Sequence, residues 1–280
     1  YHRTGLYPLP SLPWTLGMEG AGRIEAVGEG VTEFRVGDRV AYASPPVGAY
    51  AEVRLIPADR VVALPETIDD QTAAAMMLQG MTAQYLLRRT YRVQPGDAIL
   101  LHAAAGGVGL IVSQWARQLG ALVIGTVGSD EKAEIARAHG CHHAIVYSRE
   151  NFVDRVREIT NGQGVAVVYD SVGKETFMGS LDCLRPLGMM VSFGNASGPV
   201  PPFEPGMLAA KGSLFLTRPT LMTYTAKRED LVATAAELFE VVAIGVVKIE
   251  VRQTYPLAET AQAHRDLEAR KTTGSTVLLP

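Results

Sequence analysis

Ala98-Ile-Leu-Leu-His102, followed without a gap by Ala103-Ala-Ala-Gly-Gly-Val-Gly109, is the stretch on which the fold turns. The first part is a continuous apolar run, the form a strand takes when both of its faces are buried. The second part is rich in glycine, and from Val108 to Leu119 the apolar spacing is helical. Strand, glycine loop and helix in that order match G-x-G-x-x-G, with Ala104 in place of the first glycine. In that context Gly106 lets the backbone approach a pyrophosphate, and Gly109 lets helix and strand pack closely. The helix N-terminus adds unpaired N–H groups and a partial positive charge, both suited to an anion.

Outward from this stretch the same alternation continues. Ala121 to Val127 reads as a second buried strand, and Lys132 to His139 as a helix with Gly140 at its C′ position. Ala144–Tyr147, Val165–Asp170 and Met189–Phe193 extend the strand series. Alternating strands and helices with buried strands predict an α/β fold built on a parallel, doubly wound sheet. Upstream, the first 70 residues are broken by Gly and Pro. Gly20–Gly28, Asp38–Tyr42 and Tyr50–Arg54 are short and strand-like, which predicts a small β-barrel or sandwich. Asp70 to Leu87 has helical spacing, interrupted near Gly80. After Pro219 a helix from Glu229 to Ala243 leads to strand-like Lys248–Val251 and Ser275–Leu279, which return to the first domain. The expected domains are therefore 1–80 with 220–280, and 81–219 as the dinucleotide-binding domain.

Composition narrows the function classes. At 280 residues the chain has room for two domains, and 47% hydrophobic with 20% charged residues is ordinary for a globular protein. A net charge of -3 offers no basic field for nucleic acid or an anionic membrane. Two cysteines, Cys141 and Cys183, are too few for a disulfide framework and fit a reducing, cytoplasmic setting. The opening Tyr1-His-Arg-Thr-Gly5 has no initiator Met and reads as the middle of a domain, so a preceding segment is expected.

NAD enzymes place an acid at the tip of the second strand for the ribose 2′-hydroxyl. Here the tip is Thr126-Val-Gly-Ser129, without one. The gap leaves room for the 2′-phosphate of NADP, and Lys132 can supply a charge. Asp130 and Glu131 argue the other way, but with Ser129 as N-cap they suit the dipole of the next helix. Ser171 ends a strand at the edge of the sheet where such folds bind ligands, and is expected to contact the cofactor.

No metal chemistry is expected. Met18 in Gly17-Met-Glu-Gly20 stands where zinc alcohol dehydrogenases carry a His ligand, and there is no Cys cluster. His139-Gly-Cys-His-His143 matches no common zinc spacing and reads as a surface connection. His102, the last residue of a buried strand, reads as a hydrogen-bonded packing residue rather than a general acid.

Ala103–Gly109, Tyr169-Asp-Ser-Val-Gly173 and Val191-Ser-Phe-Gly-Asn-Ala-Ser-Gly198 together resemble the zinc-independent quinone oxidoreductases, the ζ-crystallin-like branch of the medium-chain dehydrogenases/reductases. Gly5-Leu-Tyr-Pro8 and Gly28-Glu-Gly-Val31 with Gly37-Asp-Arg-Val40 fit the same pattern. The resemblance implies a GroES-like barrel, a Rossmann domain, an active site in the cleft between them, and a homodimer joined through the Rossmann domains. It implies NADPH as cofactor and a quinone as substrate. Carried over by position, Gly107 and Val108 lie on the pyrophosphate. Gly128, Ser129, Lys132, Tyr147 and Arg270 surround the 2′-phosphoadenosine, and Phe193, Gly194 and Asn195 line the nicotinamide side. Thr82 and Tyr85, on one helix face, border the cleft, and Tyr1 is the polar group nearest the substrate. Three rivals stay open: an alkenal or enoyl reductase, a zinc-independent alcohol dehydrogenase, and a non-catalytic crystallin or RNA-binding role.

Overall fold

A computed structural model describes residues 2–9, 11–269 and 271–280. The chain divides into two compact units. One comprises Tyr1–Met81, Thr225–Ala243 and Ile249–Pro280; the other comprises Thr82–Tyr224 and Ile244–Lys248.

The first unit opens with three short antiparallel strands, β1 (Glu19–Arg23), β2 (Arg39–Ala43) and β3 (Val62–Ala63). Glu19 pairs with Ala43 and Arg23 with Arg39; beyond them Ile24 N–H donates to Asp38 O at 3.0 Å and Gly37 N–H to Ile24 O at 2.8 Å, and the chain from Ile24 on is irregular. The strand expected to reach Gly28 is thus cut at Arg23. Tyr50–Arg54 forms no strand at all. Tyr50 N–H is spent on Leu16 O, and Ala51 N–H turns back to Ala49 O, so the segment is a bend. Helix α1 (Asp70–Tyr85) is capped by Asp69, which accepts from Thr72 N–H and Thr72 Oγ1 at 2.9 and 2.7 Å. It runs through Gly80 without the expected interruption. A Cβ there would lie 2.5 Å from Leu238 Cδ1, so the glycine serves close packing, not a break. Leu86–Thr90 then widens into a π-turn.

In the second unit, strands and helices alternate. The strands are β4 (Ala98–Leu101), β5 (Leu122–Val127), β6 (His143–Val146), β7 (Val165–Asp170), β8 (Leu184–Ser192) and β9 (Phe215–Thr217). Between them lie α2 (Gly107–Gln118), α3 (Asp130–Ala138), α4 (Phe152–Ile159), α5 (Phe177–Asp182) and α6 (Gly206–Ala210), and α7 (Leu221–Tyr224) follows. All six strands are parallel, in the order β6-β5-β4-β7-β8-β9. That is the 3-2-1-4-5-6 order of a Rossmann sheet, with its direction switch between β4 and β7. Leu100, Ile124, Val168 and Met190 from four strands meet Phe177 and Leu181 of α5 in one core. Each such side chain contributes about 1.5–3 kcal/mol by leaving water, which fixes the strand ends that carry the site.

The chain then returns to the first unit with α8 (Arg228–Ala243), β10 (Val251–Pro256), α9 (Thr260–Glu268) and β11 (Ser275–Leu279). β10 and β11 pair in parallel. The strand expected at Lys248–Val251 starts only at Val251, because both backbone groups of Lys248 are bonded to the Gln114 side chain at 3.0 Å. Ile244–Lys248, which carries this contact, belongs to the second unit.

Candidate functional site

The β4–α2 connection departs from the strand at Ala103, whose φ is +55°, and Gly106 N–H closes a turn onto Ala103 O at 2.9 Å. Gly109 then lies so near the loop root that a Cβ would meet Ala103 O at 2.4 Å and Ala104 O at 2.7 Å. Helix and strand can close on each other only because that position is glycine. Gly106 is exposed, and it begins α2 without offering a side-chain cap. In α3 and α4, by contrast, Ser129 and Asn151 cap the first turn. The first-turn N–H groups of α2, at Gly107 and Val108, are left for an anion, with the positive end of the dipole behind them. These residues fit a dinucleotide pyrophosphate.

The neighbouring strand ends assemble the rest. Ser129 Oγ accepts from Lys132 N–H at 3.3 Å, the N-cap expected from sequence. Tyr147 stands over Gly128: a Cβ there would lie 2.8 Å from Tyr147 Oη. The ring is 52% exposed, so it is a platform at the surface and not a core tyrosine. Gly128, Ser129, Lys132 and Tyr147 are thus brought to one place at the ends of β5 and β6. Asp130, which argued against a 2′-phosphate, is held by a two-pronged ion pair with Arg149 at 2.5 and 2.6 Å. The Arg149 guanidinium holds the Asp130 carboxyl below its usual range. Nothing in the sequence reading singled out Arg149, which lies 19 residues from its partner.

Across the direction switch, Ser171 and Phe193–Asn195 also come together. Phe193 N–H donates to Asp170 O at 2.8 Å, and Ala196 N–H to Ser171 O at 3.1 Å. A Cβ at Gly194 would sit 2.5 Å from Ser171 O, so the two loops lie in contact backbone to backbone. Their shape is set by Asp170, a fully buried carboxylate. It accepts from Val172 N–H (2.8 Å), Gly173 N–H (3.0 Å), Thr176 Oγ1 (2.8 and 2.9 Å) and Ser180 Oγ (3.2 Å). The signal for this was present as Asp170-x-x-Gly173, the pattern of an aspartate folding back on its own following N–H groups.

Thr82 and Tyr85 lie on α1 and are both buried. The Tyr85 ring stacks on Tyr224, with centroids 4.5 Å apart. Tyr1 and Arg270 lie outside the described residues. In the His-rich connection only His142 and His143 are exposed. His139 is buried with Nδ1 against Ile135 O, and Cys141 is buried, its thiol pushed up to about 11 by burial. The expectation of a surface loop holds for two of its five residues, because Gly140 tucks against the backbone of Ser113 and Gln114. Among the described residues no group of three or more His, Cys, Asp or Glu side chains is placed to hold a metal ion.

Within the first unit a cavity of about 920 Å3 is lined by Met18, Glu19, Tyr42, Tyr50, Arg54 and His264, among others. Glu19 Oε2 accepts from Leu78 N–H at 2.7 Å. Burial pushes its carboxyl up to about 7, and the Leu78 hydrogen bond opposes that only partly. Tyr50 Oη lies 3.3 Å from His264 Nε2. Sequence reading passed over Glu19 as part of a lapsed zinc motif.

Comparison with known proteins gives a consistent result. Residues 1–66 match the alcohol dehydrogenase GroES-like domain, and residues 107–240 the zinc-binding dehydrogenase domain. A quinone oxidoreductase of Pseudomonas aeruginosa is 57% identical over 280 residues, all of this chain and 86% of the relative. The crystal structure of Escherichia coli quinone oxidoreductase complexed with NADPH is 51% identical, with a TM-score of 0.98 over 100% of this chain and 86% of that one. A 2-haloacrylate reductase from Burkholderia is 50% identical over 287 residues, spanning all of this chain and 86% of its own.

Proposed function

The chain belongs to the quinone oxidoreductase family of the medium-chain dehydrogenases/reductases, and from that membership we propose that it reduces quinones with NADPH and without zinc. One observation carries the cofactor choice. The tip of β5, Val127-Gly128-Ser129, carries no acid and Asp130 just beyond it is paired with Arg149, while Gly128, Ser129, Lys132 and Tyr147 surround the place an adenosine 2′-phosphate would take. Bound NADPH supplies the reducing equivalents, and the protein supplies orientation and binding. Gly106 to Val108 hold the pyrophosphate on the α2 N-terminus, and the loops at Ser171 and Phe193–Asn195 flank the nicotinamide. Tyr1, Thr82, Tyr85 and Arg270 complete the site in this reading. A quinone is already electrophilic, so neither a Lewis acid nor a protein nucleophile is called for.

The reading includes a homodimer joined through the nucleotide-binding units and a cytoplasmic location. Among the described residues strand β9 has a strand neighbour on one side only, and it carries Phe215, which is 56% exposed, as a subunit contact would require. Both cysteines are free and buried, which fits a reducing compartment. No helix among the described residues is long and apolar enough to cross a membrane.

A second reading has one specific support: the 50% identical Burkholderia relative is a reductase of 2-haloacrylate, an electron-poor alkene. NADPH consumption is to be followed with a simple quinone, with an enone and with 2-haloacrylate, with NADH in parallel and with a chelator added. The expected outcome is quinone turnover favouring NADPH and indifferent to the chelator. Turnover of alkenes alone would replace the quinone assignment, and loss of activity on chelation would refute the zinc-free mechanism.

A further inference from the structure

His102 is almost fully buried, at 1% exposure, yet both of its ring nitrogens are occupied. Nδ1 lies 2.8 Å from Thr126 Oγ1, and Nε2 lies 2.9 Å from Ser180 Oγ. Ser180 Oγ is in turn 3.2 Å from Asp170 Oδ2. The edge of the Phe152 ring closes against the imidazole at 5.1 Å.

The direction of this chain follows from what each group can do. The Asp170 carboxylate only accepts, so the Ser180 hydroxyl donates to it. Ser180 is then left with lone pairs and accepts from His102 Nε2–H. His102 is neutral, because burial depresses its basicity more than the Asp170 charge restores it. Its Nδ1 therefore accepts, and the Thr126 hydroxyl donates. One tautomer satisfies every group.

The placement matters more than the bonds. His102 itself roots the glycine loop at the end of β4. Thr126 sits on β5 just before Gly128 and Ser129, and its carbonyl accepts from Ala104 N–H at 3.1 Å. Asp170 shapes the Ser171–Thr176 turn after β7. Three separate loops form the proposed cofactor site, and a single imidazole roots the first, bonds to the strand that leads into the second, and reaches the third through Ser180 of α5.

Resting on the NADPH reading above, we propose that His102 is a positioning residue for the dinucleotide. Its two hydrogen bonds hold the pyrophosphate loop, the 2′-phosphate loop and the Ser171 loop in mutual register. The two arms are separable. The Thr126 arm serves the loop that distinguishes NADPH from NADH, and the Ser180 arm serves the turn beside the nicotinamide, which the two cofactors share.

The test is fluorescence titration of NADPH and NADH with the whole chain, together with thermal melting. Thr126→Val and Ser180→Ala each delete one arm with little change of shape. Loss of one buried hydrogen bond of this kind is expected to weaken binding about three- to tenfold. Thr126→Val is expected to weaken NADPH and spare NADH, and Ser180→Ala to weaken both alike. His102→Gln, whose amide can still donate to Ser180, is expected to reproduce Thr126→Val. His102→Asn, whose amide oxygen can still accept from Thr126, is expected to reproduce Ser180→Ala. Variants that melt lower but bind both cofactors as the unsubstituted chain does would overturn the positioning role and leave His102 a packing residue. If the unsubstituted chain binds neither dinucleotide, the NADPH reading fails first and takes this inference with it.

Discussion

Two glycines of one loop, three residues apart, are expected to fail in opposite ways. At Gly109 an added methyl would meet Ala103 O at 2.4 Å, Ala104 O at 2.7 Å and the Ala104 carbonyl carbon at 2.8 Å. All three are backbone atoms at the root of the loop, so no flexible side chain can swing aside. Either α2 or the loop must move by about half an ångström or more, and overpacking of this kind costs about 1–3 kcal/mol. At roughly 2–4 °C per kcal/mol for a unit of this size, Gly109→Ala should melt about 2–12 °C lower. At Gly106 the same methyl meets only Ala103 O, at 3.2 Å, and φ is -81°, a value any residue adopts. Gly106→Ala should therefore change stability by no more than about 0.5 kcal/mol. Its methyl, however, points from an exposed position at the mouth of the anion site. It should raise the NADPH dissociation constant about tenfold, or 1.4 kcal/mol. Thermal melting and NADPH fluorescence titration of both variants are enough. If Gly106→Ala melts as low as Gly109→Ala and binds NADPH normally, the assignment of one glycine to packing and the other to pyrophosphate is wrong.

Two further outcomes are expected. Glu19 has its carboxyl raised from an ordinary 4.5 to about 7, so the folded state holds a proton that the unfolded state releases sooner. Its contribution is fully present below about pH 4.5 and declines as the pH rises to about 7, by at most about 3 kcal/mol. Glu19→Gln should flatten that part of the stability profile in melts taken between pH 5 and 8, and parallel profiles would remove Glu19 as the cause. Arg149→Ala should free the Asp130 carboxylate beside the 2′-phosphate position and lower the preference for NADPH over NADH roughly threefold at low salt. Asp130→Asn in the same background should restore the preference; an unchanged ratio in Arg149→Ala would show that the pair does not govern selectivity.

How much of this was legible in the chain depends on how local each signal is. The run Ala98–Gly109 carries its own reading, since burial on both faces leaves a strand continuously apolar and a pyrophosphate turn leaves glycine at fixed offsets. The parallel sheet, the Ser129 cap and the missing acid at the tip of β5 could be read the same way, each from neighbours a few residues apart. Errors arose where distant chain decides the local state. Tyr50–Arg54 has a strand-like sequence, but Tyr50 and Ala51 N–H turn to Leu16 and Ala49, and among the described residues no strand pairs with it. Gly80 looked like a helix break until Leu238, 158 residues later, took up the space a side chain would need. Asp130 was rightly read as a first-turn acid of α3, but its partner Arg149, 19 residues on and just past β6, had no local signal.

The sequence by itself therefore determined the fold class, the glycine loop after β4 and the strand ends where the ligand site is proposed, because hydrophobic period and glycine position are local properties. Tertiary structure alone decided that His102, Thr126, Ser180 and Asp170 form one buried chain beneath three loops, and that Glu19 is a half-buried cavity carboxyl with a raised proton affinity. Hydrogen bonding and desolvation depend on which groups the sheet brings within 3 Å, and no spacing along the chain encodes that distance.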